Sequence, residues 1–356
     1  MHIFKKIFIL IIAVVSTILL FFLLKKRQEI IKMMDKTNEP MEPMKKIKEN
    51  FLGILGTSAK KEIDNIRNTE IQPGISNYSL KNNFPLKEFF IKSSYNSATS
   101  GKNVSKDMIH YVLSRGCRFL DFAIYPLEGE PFVSLNDTID LKNLKEKENA
   151  ISLSSVLETI TQNAFMHPSP NPNDPLFIQL TMKTNDTNIY EKIANSIITN
   201  FNSRLYNQKI NETTLLNDLL GKIVIVFNKM HLQEKDNYKN TKLYEFINME
   251  SGGNTVRIYK YNKIIKKYTT PPNINDDKTT DILSLNIVVP ENNIDLFGYD
   301  SNFSFKNIVI DYGIQITPFK FYVKDHNLIE YEKVFKDNKT AFIPISQFIE
   351  YTNVNK

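Results

Sequence analysis

A single cysteine, Cys117, and no tryptophan occur among the 356 residues. One cysteine excludes an intramolecular disulfide framework and any Cys-rich zinc module. A one-sided charge is also missing from most of the chain. The net charge is +6, from 45 Lys and Arg against 39 Asp and Glu. Residues 1–36 hold seven of those basic residues (Lys5, Lys6, Lys25, Lys26, Arg27, Lys32, Lys36) and two of the acidic ones (Glu29, Asp35), leaving 38 against 37 for the rest. Nucleic-acid binding needs Lys and Arg clustered on the folded surface, so this balance disfavours a nucleic-acid partner. At 42% hydrophobic and 24% charged the chain is neither disordered nor collagen-like. Its length suits one large α/β domain or two small ones.

What is present at the N-terminus is a long apolar run. Residues Ile7 to Leu24 carry no charge and only Ser16 and Thr17 as polar side chains. Eighteen residues at 1.5 Å rise give about 27 Å, close to the hydrocarbon thickness of a bilayer. Lys5 and Lys6 precede the run and Lys25 to Arg27 follow it, as snorkelling ends would. A cleaved signal peptide is the rival. The run exceeds a typical signal core and is followed by KKR, not by a small-residue cleavage site. The expectation is a single-pass anchor at 1–27 with its span at 7–24. More Lys and Arg follow the span than precede it, which puts the body on the cytoplasmic side. A lone cysteine agrees with a reducing compartment. The bias toward Asn, Ile and Lys fits an AT-rich genome; a viral source would make the membrane a virion membrane.

Residues 28–81 are polar and read as a stalk, helical around 44–56. From residue 82 strand-length apolar runs alternate with amphipathic stretches. Strands are expected at 88–94, 118–124, 176–182 and 222–228. Helices are expected at 105–116, with Ser105 as N-cap and Gly116 at the end, at 151–165 and at 188–206. Residues 231–283 read as a connecting region containing a polar linker at 262–283. Strand-like runs return at 284–290, 315–323 and 340–345. This alternation implies a parallel sheet, and the length permits a TIM-type β/α barrel preceded by one transmembrane helix.

Five motifs stand in order: KSSYNSA (92–98), RGCRFLDFAIY (115–125), EPFVSLND (130–137), DPLFIQLTMK (174–183) and GKIVIVFNK (221–229). Together they resemble the phosphatidylinositol-specific phospholipase C family, specifically its X-type half barrel, over 82–230. The second half would then lie at 284–356. The resemblance implies a phosphoric diester hydrolase in which one His acts as general base on the inositol 2-hydroxyl. A second His assists the leaving group, and a calcium ion or an Arg neutralises phosphoryl charge.

The residues at those positions differ. Tyr95 and Leu135 stand where the family has its two histidines. Of the implied metal ligands Asn96 remains, Asp121 replaces a Glu, and Ala123 and Thr181 replace an Asp and a Glu. Two oxygen ligands make a poor calcium cage, because Ca2+ takes six to eight. No cofactor is therefore expected, and calcium only if other ligands complete the site. Tyrosine, with a pKa near 10, is a poor base at neutral pH, and leucine transfers no proton. The family's head-group Arg falls near Asn286.

The remaining candidates for a residual pocket are Asn96, Arg118, Asp121, Thr181, Lys183, Lys229 and His231. Asp121 reads either as a remnant ligand or as an inward polar residue satisfied by Asn96 or Thr181. Arg118 either lines the pocket or braces the barrel base. Lys183 and Lys229 end strands and could hold a phosphate. His231 is the one histidine placed for acid/base work; His110, His167 and His326 read as structural or surface residues, and Cys117 as inert core. The leading expectation is a membrane-anchored, catalytically inactive phospholipase-C-like protein. Its partners would be membrane lipid and either a phosphoinositide head group or a protein. The alternatives are an active diesterase using Asp121, Lys183 and His231, and a purely structural membrane protein.

Overall fold

Strand alternation decides which side chains enter the barrel. In LFIQLTM every residue is buried, which is the signature of a strand covered on both faces. Leu176, Ile178, Leu180 and Met182 join the outer core against the helices, while Phe177 joins the inner core. In IVIVFN the same period sends Ile223, Ile225 and Phe227 outward and Val224 and Val226 inward.

A computed structural model describes residues 59–67, 84–135, 149–264 and 285–354, apart from short breaks at 168, 230, 233–235, 253–255, 263, 291–293 and 296–297. The chain divides into two units at 57/58. The first unit, with the expected span at 7–24 and the expected helix at 44–56, lies outside the described residues, as does most of the polar stretch 262–283. Among the described residues no helix is long and apolar enough to cross a membrane.

The second unit begins with α1 (Ala59–Arg67). Then come β1 (Phe89–Ile91), β2 (Ser93–Ser94), α2 (Lys106–Ser114), β3 (Phe119–Leu127), β4 (Glu130–Ser134) and β5 (Ile151–Ser152). Next are α3 (Leu153–Asn163), β6 (Leu176–Met182), α4 (Thr187–Phe201) and β7 (Ile223–Asn228). They are followed by α5 (Leu243–Phe246), β8 (Ile247–Ser251), β9 (Val256–Lys260) and β10 (Leu285–Val289). A small antiparallel pair, β11 (Ile294–Asp295) and β12 (Gly298–Tyr299), precedes α6 (Lys306–Tyr312), α7 (His326–Asn338), β13 (Phe342–Pro344) and α8 (Ile345–Val354).

The sheet runs β10-β9-β8-β7-β6-β3, with β2 pairing the far side of β3, and every one of these pairings is parallel. Residues 315–319 close it. Ile316 bridges Ile91 on one side and Ile287 on the other, and Phe319 bridges Ser94, all in parallel sense. This is the arrangement expected of a TIM-type β/α barrel. The segment 315–323, expected as a strand, supplies only these bridges. Pro318 has no N–H for a ladder, so regular pairing cannot run through it.

Three further differences from the sequence reading have local causes. The region 231–283 was expected to be a connection, yet β8 and β9 are barrel strands. Their sequences, INMES and VRIYK, mix polar and apolar residues and give no apolar run. The stretch 28–81 was expected to be a stalk, yet α1 packs Ile63 and Ile66 into the outer core. The strand at 118–124 extends into a hairpin with β4 because Glu128 and Gly129 both take positive φ, +52° and +76°. Two such residues make the tight turn whose twist suits a hairpin.

Helix ends follow their caps. The Ser105 side chain accepts from the Asp107 N–H at 3.1 Å, and that of Asp325 accepts from the Leu328 N–H at 2.8 Å. α2 gives way to β3 through Gly116 at φ +82°, where a Cβ would stand 3.3 Å from Pro170. The outer core is richest in aromatics beneath α7, where the Tyr331 ring stacks on Phe319 at 4.0 Å between centroids.

Candidate functional site

In a parallel barrel the functional end is where the strands finish, since the βα loops gather there. At that end the inward positions of β3, β6, β7 and β8 turn from apolar to polar. Asp121, Gln179, Thr181, Asn228 and Ser251 are all buried, and one pleat below Asp121, Gln179, Asn228 and Ser251 the inward residues are the apolar Phe119, Phe177, Val226 and Met249. Asp121 sits at the centre. Its Oδ1 accepts from the Gln179 amide at 2.9 Å and from the Thr181 hydroxyl at 2.8 Å. Its Oδ2 accepts from the Asn96 N–H at 3.4 Å. The network spreads further: Asn228 donates to the Thr181 hydroxyl at 3.2 Å, and the Ser251 hydroxyl donates to Gln179 Oε1 at 3.1 Å.

Gln179, Thr181 and Asn96 all donate to Asp121, an arrangement that favours the carboxylate. Burial acts against it and dominates, so the Asp121 pKa is raised; the bonds from Gln179, Thr181 and Asn96 and the charge of Lys183 pull the other way. Asn96 itself is held at φ +46°, a left-handed conformation that Asn tolerates better than most residues. Its side-chain amide lies 3.5 Å from the Tyr322 hydroxyl.

Tyr95 and Leu135 are buried, at 4% and 8% exposure. Tyr95 belongs to the inner core beneath the mouth, and Leu135 to the outer core. The Leu135 carbonyl is held by the Tyr125 hydroxyl at 2.8 Å. Ala123 is fully buried on the inner side of β3 and brings no oxygen ligand of its own.

The lysines and the histidine lie at the rim. Lys229 pairs with Glu250 at 3.2 Å, so its charge is locally answered. His231 lies where partial desolvation, with Lys183 and Lys260 nearby, pushes its imidazole down to about 4. At neutral pH it is an uncharged ring beside cations. The neutral ring keeps one N–H donor and one acceptor nitrogen but is not an imidazolium acid.

Arg118 is not in this site. It precedes β3 at the opposite end of the barrel, fully buried, and its guanidinium donates to the carbonyls of Ala164 and Asn171 and to the Ser169 hydroxyl. Burial lowers its pKa to about 10 against the opposing charge of Asp174. A side chain at the N-terminal start of a strand cannot reach the mouth. Cys117 beside it is fully buried, with a thiol pushed up to about 12 by desolvation, and a thiol so protonated is a poor nucleophile.

The structure thus brings together Asn96, Asp121 and Thr181, with Lys183 within electrostatic reach. It places Lys229 and His231 at the rim and removes Arg118. Gln179, Asn228 and Ser251 escaped the sequence reading. One signal for Gln179 was available: a lone amide at an inward position of an otherwise apolar strand needs a buried partner.

Residues 82–229 match the family model described as phosphatidylinositol-specific phospholipase C, X domain. That stretch is similar to the X domain of this family. Solved structures agree on the fold of the barrel. PLC21 from L. pealei superposes with a TM-score of 0.57 at 15% identity, over 74% of this chain and 37% of that one. PLC21 from S. officinalis gives 0.57 at 16% identity, over 74% and 37%. The chain thus spans little more than a third of the length of either. A calcium-dependent phosphoinositol-specific phospholipase C from Pseudomonas gives 0.50 at 11% identity, over 78% of this chain and 100% of that one. No curated protein sequence matches the chain. The phospholipase-C-like barrel is therefore the fold these chains share.

Proposed function

We propose that the chain is a membrane-anchored, non-catalytic phospholipase-C-like protein whose barrel mouth binds a phosphorylated lipid head group. The observation that carries this reading is the state of Asp121. Its oxygens are engaged by Gln179, Thr181 and Asn96, and Tyr95 and Leu135, where the resemblance implies histidines, are buried. Diester cleavage by two-histidine chemistry needs a base and an acid within hydrogen-bond reach of the substrate. Tyr95 and Leu135 supply no imidazole for either role.

The residues also fit a calcium ion poorly. Asp121 is the one carboxylate in the polar network, Thr181 spends its hydroxyl proton on it, and Ala123 has no donor atom. A hard cation would have to displace two neutral donors and still lack most of its six to eight oxygens. What the rim does offer an anion is positive charge: Lys183 and Lys260 lie near the neutral His231. The apolar run 7–24 supports attachment to a bilayer, with the barrel on the cytoplasmic side by the excess of Lys and Arg after the run.

The test is turnover and binding by the full-length chain in detergent micelles. Vesicles of phosphatidylcholine with and without phosphatidylinositol 4,5-bisphosphate are supplied, and released inositol phosphate and co-sedimented protein are both measured. Binding that requires the phosphoinositide, without release, is the expected result. Turnover that disappears in Asp121→Ala would replace this reading with an active diesterase built on Asp121, Lys183 and His231. Absence of both binding and turnover would leave a structural membrane protein or a protein-binding barrel.

A further inference from the structure

Helix α1 lies ahead of the X-domain match, yet it is fastened to the mouth side of the barrel. Residues Glu62, Ile63 and Ile66 form its buried face. The two isoleucines enter the outer core that also holds Val104 and Met108. Glu62, only 9% exposed, turns its carboxylate onto the loop between β2 and α2. The Ser100 hydroxyl donates to it at 2.8 Å, the Lys102 N–H at 3.1 Å and the Asn103 N–H at 3.3 Å. Gly101 makes the approach possible: its φ is +149°, and a Cβ there would stand 3.0 Å from the carboxyl carbon of Glu62.

That loop begins at the candidate site. Tyr95 and Asn96 are its first residues, and the Thr99 N–H donates back to the Asn96 carbonyl at 2.8 Å. The Ser97 N–H donates to the Asp121 carbonyl at 2.8 Å, and the Ser97 hydroxyl accepts from the Asp121 N–H at 3.0 Å. The loop is thus pinned at one end to the strand that bears Asp121 and at the other to α1. Successive backbone N–H groups converging on one carboxylate form a nest, and such charge-assisted bonds are the stronger class.

We propose that α1 is a clasp and that Glu62 is the positioning residue of the first βα loop. Through it the chain ahead of the barrel grips the mouth side, although β1 itself starts from the opposite end. The backbone geometry of Tyr95 and Asn96 then depends on a residue outside the X domain. The inference is independent of whether the mouth binds a head group.

Amide hydrogen exchange on the full-length chain in micelles tests this. Glu62→Ala is expected to speed exchange at residues 101–103 by about tenfold or more, in line with losing bonds to a charged group. A smaller rise is expected at 95–97, with β6 and β7 unchanged. Gly101→Ala, which pushes a methyl against the carboxylate, is expected to give the same pattern. Ser100→Ala is expected to have less effect in the Glu62→Ala background than alone, because its partner is already gone. Unaltered exchange at 101–103 in both Glu62→Ala and Gly101→Ala would overturn the clasp. So would an increase spread evenly over β6 and β7, which would make α1 a contributor to overall stability only.

Discussion

Thr181 donates its hydroxyl to Asp121 across the β3–β6 pair at 2.8 Å, where the family resemblance implies two carboxylates facing a cation. This pairing makes the two side chains part of a self-satisfied hydrogen-bond cluster. A second carboxylate at 181 would need a metal beside it to relieve repulsion, whereas a hydroxyl relieves the existing charge directly.

The raised pKa of Asp121 fixes the sign of its contribution to stability. Because the folded carboxyl holds its proton to higher pH than the unfolded one, the folded state binds more protons above the ordinary Asp value of 3.8. Stability from this group is therefore lost as pH rises from that value through the folded pKa, and is constant beyond. Asp121→Asn removes the titration. Measured by urea unfolding, the stability of Asp121→Asn relative to the unsubstituted protein is expected to rise from pH 4 upward and then level off. A flat or falling difference would contradict the dominance of burial.

Placing histidines at 95 and 135, where the resemblance implies them, is expected to harm the fold without conferring chemistry. Leu135 belongs to the outer core and Tyr95 to the inner one. Replacing a buried leucine by an imidazole buries polar nitrogens where no partner awaits them, at a cost of about 1–3 kcal/mol from mutational data. The Tyr95→His/Leu135→His variant is expected to melt below the unsubstituted protein and release no inositol phosphate. The checks are circular-dichroism melting and the vesicle turnover assay; measurable turnover would mean that the donors around Asp121 are no obstacle.

How much of this was legible in sequence depended on the kind of pattern each element carries. The strands at 176–182 and 223–228 are mostly apolar, with polar residues only at Gln179, Thr181 and Asn228, and the α2 cap at Ser105 is a local signal, so these stood out. β8 and β9 did not, because Asn248, Glu250, Arg257 and Lys260 interrupt any run. Asn248 shows why: its carboxamide accepts from the Ile225 N–H at 2.7 Å, standing in for a ladder bond where the β7–β8 register shifts. The site was legible as a set of positions. Asp121, Asn96 and Thr181 meet as spacing along parallel strands requires, but Gln179 and Ser251 come from inward positions that only the strand register identifies. Arg118 was ambiguous because a residue at a strand's start and one at its end look alike until the direction of the barrel is known.

Arg118 also yields a prediction separate from the site. Its guanidinium satisfies the Ala164 and Asn171 carbonyls from within the base of the barrel and answers the charge of Asp174. Removing the guanidinium leaves buried acceptors unsatisfied, at a cost of about 1–3 kcal/mol each. Arg118→Met keeps much of the volume but not the donors. It is expected to lower the urea midpoint strongly while phosphoinositide binding, measured on the fraction still folded at low temperature, is retained. Loss of binding in a folded Arg118→Met protein would return this residue to the functional site.

The rim makes the last prediction. His231 is held at about 4 by partial desolvation first, then by Lys183 and Lys260. The unfolded ring titrates near 6.5, so between about 4 and 6.5 the unfolded chain binds more protons, and this residue's contribution to stability is lost as pH falls through that window. Lys183→Ala removes one repelling charge but not the desolvation. The His231 midpoint, followed by its ring proton resonances, is expected to move upward without reaching 6.5. An inositol phosphate bound at the rim should move it in the same direction, because the ligand's negative charge favours the imidazolium. If inositol 1,4,5-trisphosphate leaves the His231 titration unmoved in a protein that binds phosphoinositide vesicles, the head group does not sit among Lys183, Lys260 and His231.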